Sequence, residues 1–146
     1  MMKISIEKID LNQEEEILIR CHEIDDKILA YVKAFEQQEE DIIGYDGITI
    51  HRLKFADVYY FEAIDRKVFI YCKDKIYESK QKLYELEELC GVKKFFRASK
   101  SFIINISKID FVKPSLSGRF NTTLDNGETI VVSRQYVPLL KSKLGL

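Results

Sequence analysis

Along the chain the apolar positions alternate between a spacing near two and the longer spacing of a helix. In KISIEKI (residues 3–9) and EEEILIRC (14–21) the Ile and Leu positions predict two edge or half-buried strands. Ile28, Val32 and Phe35 then fall at i, i+4 and i+7 on one helical face, so the chain is expected to open β-β-α. After the turn-like GYDG (44–47), the segments ITIHRLK (48–54), VYYFEAI (58–64), KVFIYCK (67–73) and KIYES (75–79) are rich in β-branched and aromatic residues. They predict a strand meander. From Ser79 the spacing becomes helical again. Leu83, Leu86, Leu89 and Cys90 form one stripe, and Gly91 suits the left-handed stop after it.

The last third returns to strands in IDFVKPSL (109–116), RFNTTL (119–124) and ETIVVS (128–133). Asp125-Asn126-Gly127 tolerates the positive φ of a tight hairpin, which makes the last two strands antiparallel neighbours. SRQYVPLLKSKLGL predicts a terminal helix with Ser133 as N-cap and Pro138 delaying its regular part. Val137, Leu139, Leu140 and Leu144 are its candidates for packing back on the sheet. One segment resists the pattern: FFRASKSFIIN (95–105) has strand-like ends but holds Arg97, Ser99, Lys100 and Ser101 in its middle.

Composition narrows the reading. A chain of 146 residues with 46% hydrophobic content is one domain, or one domain with an extension, and has enough apolar surface for a core. Its longest apolar runs, Ile28–Val32 and Val68–Cys72, fall far short of the ~20 residues that cross a bilayer, so no membrane insertion is expected. The N-terminal stretch has neither the apolar region nor the cleavage site of a secretory signal, and a cytoplasmic location is the default. Cys21, Cys72 and Cys90 form no CxxC pair and read as reduced structural thiols; His22 beside Cys21 would point to the opposite face of a strand. No metal or cofactor is expected. GxSxG, P-loop, HExxH and GxGxxG are missing, and His22 and His51 sit in no catalytic arrangement, which argues against an enzyme.

The net charge of −1 conceals a partition. Residues 1–46 hold 5 basic and 13 acidic residues, a net −8, and residues 47–146 hold 18 and 11, a net +7. Within the second part, residues 92–119 carry seven cations against the single acid Asp110, a net +6. Such an excess suits a polyanionic partner, although charge alone is more often the mark of a solvated face.

Three motifs in order add what charge lacks: DVYYFEA (57–63), the FFRASKSFIIN block, and NGETIVVSRQY (126–136), with the Leu-rich helix between the first two. Together they make residues 42–146 resemble a LytTR-type DNA-binding domain. The resemblance implies an α+β, mainly β protein: an elongated antiparallel fold that presents loop side chains to duplex DNA, with the Leu-rich helix and a C-terminal helix. On this view Phe95, Phe96, Phe102, Ile103 and Ile104 anchor a loop that directs Ser99 and Lys100 outward, at little ordering cost on binding.

The resemblance carries site residues over one at a time. Arg134 is the closest match, its planar fork suited to guanine O6 and N7. Lys100 donates to guanine or phosphate as a point charge, and Arg66 and Lys67 follow FEAI in the third contact region. Ser99 and Lys100 stand where the family commonly has His and Arg. Arg97 is either a phosphate contact or a structural residue, ion-paired or stacked on the sheet beside Phe96, Lys94 a phosphate contact, and Asn105 a turn residue that satisfies local backbone.

The expected function is sequence-specific binding of double-stranded DNA by a transcriptional regulator, acting as a homodimer or as paired monomers on repeated half-sites. The alternative is a protein-binding regulator that pairs with related transcription factors. Residues 1–41 either complete the fold or offer an acidic dimerisation or partner surface.

Overall fold

The computed structural model describes residues 2–36, 41–90 and 94–146; Gly91, the expected helix stop, lies outside them. The chain divides into two compact units, Met1–Gln38 and Glu39–Leu146. In the first, the expected helix forms as α1 (Asp26–Glu36). Asp25 Oδ1 accepts the Ile28 amide at 2.9 Å, satisfying one of the donors that a helix start leaves unpaired. Ile28 is buried, and Val32 and Phe35 line a shallow cavity with Ile17 and Ile19.

The strands expected at 3–9 and 14–21 do not form; both segments lack regular secondary structure. A strand needs a partner for its backbone groups and a surface for its apolar face. Ile4 and Ile6 are instead 93% and 95% exposed. The alternating pattern was real, but among the described residues nothing pairs with it.

The second unit begins with a hairpin of β1 (Ile42–Asp46) and β2 (Thr49–Leu53). GYDG, expected as the turn, instead lies mostly inside β1. A Cβ on Gly44 would meet Leu53 Cδ1 at 2.7 Å and Tyr77 Cβ at 2.8 Å, so this glycine serves close packing rather than a bend. The meander forms as β3 (Val58–Ile64), β4 (Lys67–Cys72) and β5 (Ile76–Ser79). Then come α2 (Leu83–Cys90) and the short strands β6 (Phe95–Arg97) and β7 (Phe102–Asn105). These strands make one antiparallel sheet in the order β2-β1-β5-β4-β3-β7-β6. A second sheet, β10-β9-β8, is built from β8 (Ile109–Pro114), β9 (Phe120–Leu124) and β10 (Thr129–Val132). Its last hairpin turns at Gly127, φ +90°, as the Asp-Asn-Gly sequence predicts.

The large sheet is covered on both faces. On one, Phe61, Val68, Ile70 and Ile103 pack with Leu83, Leu86 and Cys90 of α2. On the other, Tyr60, Phe96 and Ile104 meet Leu124, Ile130 and Val132 of the second sheet, with Val137 and Leu140 of α3 (Val137–Leu144). A bulge between Val58 and Tyr60 turns both Tyr59 and Tyr60 toward the second core, leaving Val58 and Phe61 in the first. This is why VYYF shows no alternation. Two details of the terminal helix differ from expectation. Leu139 is exposed, and Ser133 caps not α3 but the 3-10 turn before it, Arg134–Tyr136, without a side-chain capping bond; its hydroxyl donates to Ala98 O at 3.3 Å.

Polar ties join the two layers. Tyr59 hydrogen-bonds Asp125 and Tyr60 hydrogen-bonds Glu128, on either side of the last hairpin turn; within the large sheet itself, Tyr71 donates to Glu62 Oε2 at 2.8 Å. The bond to Asp125, aided by burial, pushes the Tyr59 hydroxyl up to about 12; burial and then Glu62 push Tyr71 up to about 12. Burial and Glu128 raise Tyr60 as well. The folded protein therefore holds these phenols protonated while an unfolded chain releases their protons near pH 10. Stability is expected to be full below about pH 10 and to fall between roughly pH 10 and 12, a window that circular-dichroism melts across that range will reveal.

Asn105 ends β7 fully buried, as a residue that satisfies backbone locally and at long range. Its Nδ2 donates to Val58 O at 2.8 Å, and its Oδ1 accepts the Ser107 amide at 3.0 Å and the Ser107 hydroxyl at 2.7 Å. Asn105→Ala strands the buried Val58 carbonyl and is expected to lower unfolding free energy by about 2 kcal/mol in a denaturant titration.

Candidate nucleic-acid interface

FFRASKSFIIN folds as a hairpin, its polar middle forming the turn 98–101 between β6 and β7. The apolar ends hold it: Phe95 and Ile103 enter the first core, and Phe96 and Ile104 the second. The turn itself is closed by Ala98 N donating to Phe102 O at 2.9 Å and by Ser101 N donating to Ser99 Oγ at 3.1 Å. Lys100 is exposed at its tip. Ser99 is half-buried, its Oγ accepting that local bond.

Two backbone bonds connect this turn to the other expected contact regions. Ser133 N donates to Ala98 O at 2.9 Å, which fixes the start of the 3-10 turn carrying Arg134. Ala63 N donates to Ser101 O at 2.8 Å, which fixes the end of β3 just before the Asp65-Arg66 turn. Arg66 is exposed at φ +69° and Lys67 is exposed at the first position of β4. Lys100, Arg134 and Arg66 thus sit on three turns that share one hydrogen-bonded frame, with Lys67 beside Arg66 at the start of β4.

Two predicted residues sit apart. Lys94 is exposed at the opposite end of β6, roughly 10 Å of strand away from the turn. Arg97 points inward, its guanidinium occupied by Glu87 Oε2 at 3.0 Å, Ser99 O at 2.7 Å and Lys100 O at 2.6 Å. Of the two alternatives for Arg97, the structure contains the ion pair. The basic excess of residues 92–119 is also dispersed, since Lys108 lies 5.0 Å from the Tyr59 ring and Lys113 5.5 Å from that of Phe111.

One element of the site was missed in the sequence. The β8–β9 turn, closed by Ser115 N donating to Arg119 O at 2.8 Å, lies against Arg134. Gly118, φ +74°, leaves room for that side chain: a Cβ there would come within 2.8 Å of Arg134 Cδ and 3.0 Å of its Cγ. The signal available was Pro-Ser-Leu-Ser-Gly between two strands, which marks a turn but not what it packs against. Among the described residues no group of three or more His, Cys, Asp or Glu is placed to hold a metal, and no helix is long and apolar enough to cross a membrane.

This arrangement has known relatives. The model of the LytTr DNA-binding domain family matches residues 49–145. A solved LytTr DNA-binding domain, from a Bacillus cereus protein described as a methyl-accepting/DNA response regulator, matches with a TM-score of 0.70. It is 28% identical, over 74% of this chain and 99% of that one. The sensory transduction protein LytT of Enterococcus faecalis is 31% identical over 90 residues, 62% of this chain and 37% of that protein. The chain therefore spans little more than a third of that relative's length. Uncharacterized HTH-type transcriptional regulators of Staphylococcus aureus are 26% identical over the whole of both chains.

The chain belongs to the LytTr DNA-binding domain family. The candidate residues lie on turns of a β-frame; among the described residues the successive helices α1, α2 and α3 are separated by strands, not joined as a helix-turn-helix.

Gly118→Ala places a side chain where Arg134 now lies and forces alanine to a positive φ. We expect a loss of about 1 kcal/mol in stability with the fold retained, and a displaced Arg134 side-chain Nε–H signal in a nitrogen–proton correlation spectrum.

Proposed function

We propose that the protein is a transcriptional regulator that binds duplex DNA sequence-specifically in the cytoplasm through three loops. In this reading Arg134 supplies the principal base contact, its fork matching guanine O6 and N7. Lys100, beside Ser99, donates to base or phosphate, and Arg66 with Lys67 grips the backbone of an adjacent groove. The observation that carries the reading is the shared frame: Ala98 O and Ser101 O tie the Arg134 turn and the end of β3 to the Lys100 turn. Loops fixed to one another before binding lose little freedom when they meet a rigid duplex. Lys94, at the far end of its hairpin, fits a sequence-independent phosphate contact.

Two copies on repeated half-sites would double the recognised length. The exposed Ile4, Ile6, Leu11 and Ile24 of the first unit favour a protein surface there, for a second copy or for a related transcription factor. The second reading, a regulator that binds only protein, rests on that same surface and on the Ser99 hydroxyl being turned to a local bond.

Selection from a random duplex pool separates the two. The unmutated protein is expected to recover a motif, with affinity falling by about 0.9 log unit per tenfold increase in salt for each phosphate neutralised. Arg134→Ala is expected to relax one position of that motif, losing about 1–3 kcal/mol of discrimination. Recovery of no motif would leave the protein-binding reading standing.

A further inference from the structure

Arg97 and Glu87 form a unit whose geometry suits neither a phosphate contact nor an ordinary surface ion pair. The guanidinium lies under the recognition turn and donates to two successive carbonyls, Ser99 O through Nε at 2.7 Å and Lys100 O through Nη2 at 2.6 Å. Its remaining engaged nitrogen, Nη1, reaches Glu87 Oε2 at 3.0 Å on α2. The Arg97 side chain is only 19% exposed, against 48% for Glu87. Drawing both carbonyls to one fork fixes the two peptide planes that flank Lys100. The direction in which Lys100 leaves the turn is set by this arrangement.

We infer that Arg97 is a positioning residue held by Glu87: a clamp in which a helix that makes none of the proposed DNA contacts sets the geometry, and so the base discrimination, of the Lys100 turn. The inference rests on the DNA-reading role proposed above, but the clamp itself exists in the free protein. Arginine is required for its shape. A lysine at position 97 keeps the charge but offers one flexible ammonium, unable to span two carbonyls and a carboxylate in a fixed plane. Glu87 is required for its placement, since without it the guanidinium loses the anchor on its outer edge. On charge alone, removing Glu87 would only raise affinity for any duplex; loss of discrimination is the mark of a positioning role.

Arg97→Lys and Glu87→Ala test the clamp in two arms. In the free protein, amide hydrogen exchange at Ala98 and Ser101 is expected to quicken about tenfold in Arg97→Lys and about two- to fivefold in Glu87→Ala, while core amides such as Phe61 keep their rates. Alanine at an exposed helix position keeps the second variant folded. In duplex selection, both variants are expected to blur the motif at the positions that Lys100→Ala also blurs, with the salt slope of the unmutated protein. Unchanged exchange at Ala98 and Ser101 in both variants would overturn the clamp. So would a motif kept intact in both variants, whatever happens to their affinity. If the unmutated protein selects no motif, the DNA-reading role fails on that result, and the exchange arm alone decides whether the clamp orders the turn.

Discussion

Burial of both faces of β3 and β7 is the constraint on which the rest of the second unit depends. Phe61 and Ile103 face α2, while Tyr60 and Ile104, their immediate neighbours in sequence, face the second sheet. A strand pair buried on both sides cannot slip by one residue without driving every side chain into the wrong layer. The turn between β6 and β7 therefore leaves the sheet at a fixed place and a fixed angle. Its polar residues are carried on the least adjustable part of the molecule, and the bonds from Ala63 and Ser133 extend that rigidity to the neighbouring loops.

Much of this was readable in the sequence because it follows from local pattern. The meander, the Leu-rich helix and the Asp-Asn-Gly hairpin each obey a periodicity or a turn chemistry that needs no distant partner. The failures have the opposite cause. Ile4 and Ile6 alternate as a strand should, but pairing is not a local property, and no partner strand is present among the described residues. Gly44 reads as a turn because glycine permits turns; its actual reason, the approach of Tyr77 and Leu53, comes from strands more than eight residues away. Ser133 was placed correctly as a boundary, but its hydroxyl, expected to accept a helix amide, instead donates to the carbonyl of Ala98, 35 residues earlier.

The site follows the same division. That Lys100 and Arg134 would be exposed on loops was legible from motif and composition. That Arg97 turns inward was left open, because one arginine beside an aromatic strand serves either purpose until its neighbours are known. Glu87 carried no signal at all: on a helix surface with Glu85 and Glu88 beside it, nothing in the sequence singles it out. The contact between Gly118 and Arg134 likewise joins two turns that only the packing of the second sheet brings together.

The β3–β4 hairpin shows what such a site costs the fold. Asp65 and Arg66 occupy its two turn positions at φ +49° and +69°, where asparagine and glycine would sit with less strain. The hairpin closes regardless, because Ile64 pairs with Lys67 and the strands behind them are fixed by two cores. Conformational strain at the tip is thus financed by packing elsewhere, and what the chain retains in exchange is a cation at the outermost point of a turn. A homologue that relaxed this turn to Asn-Gly would be a better hairpin with one fewer cation to offer.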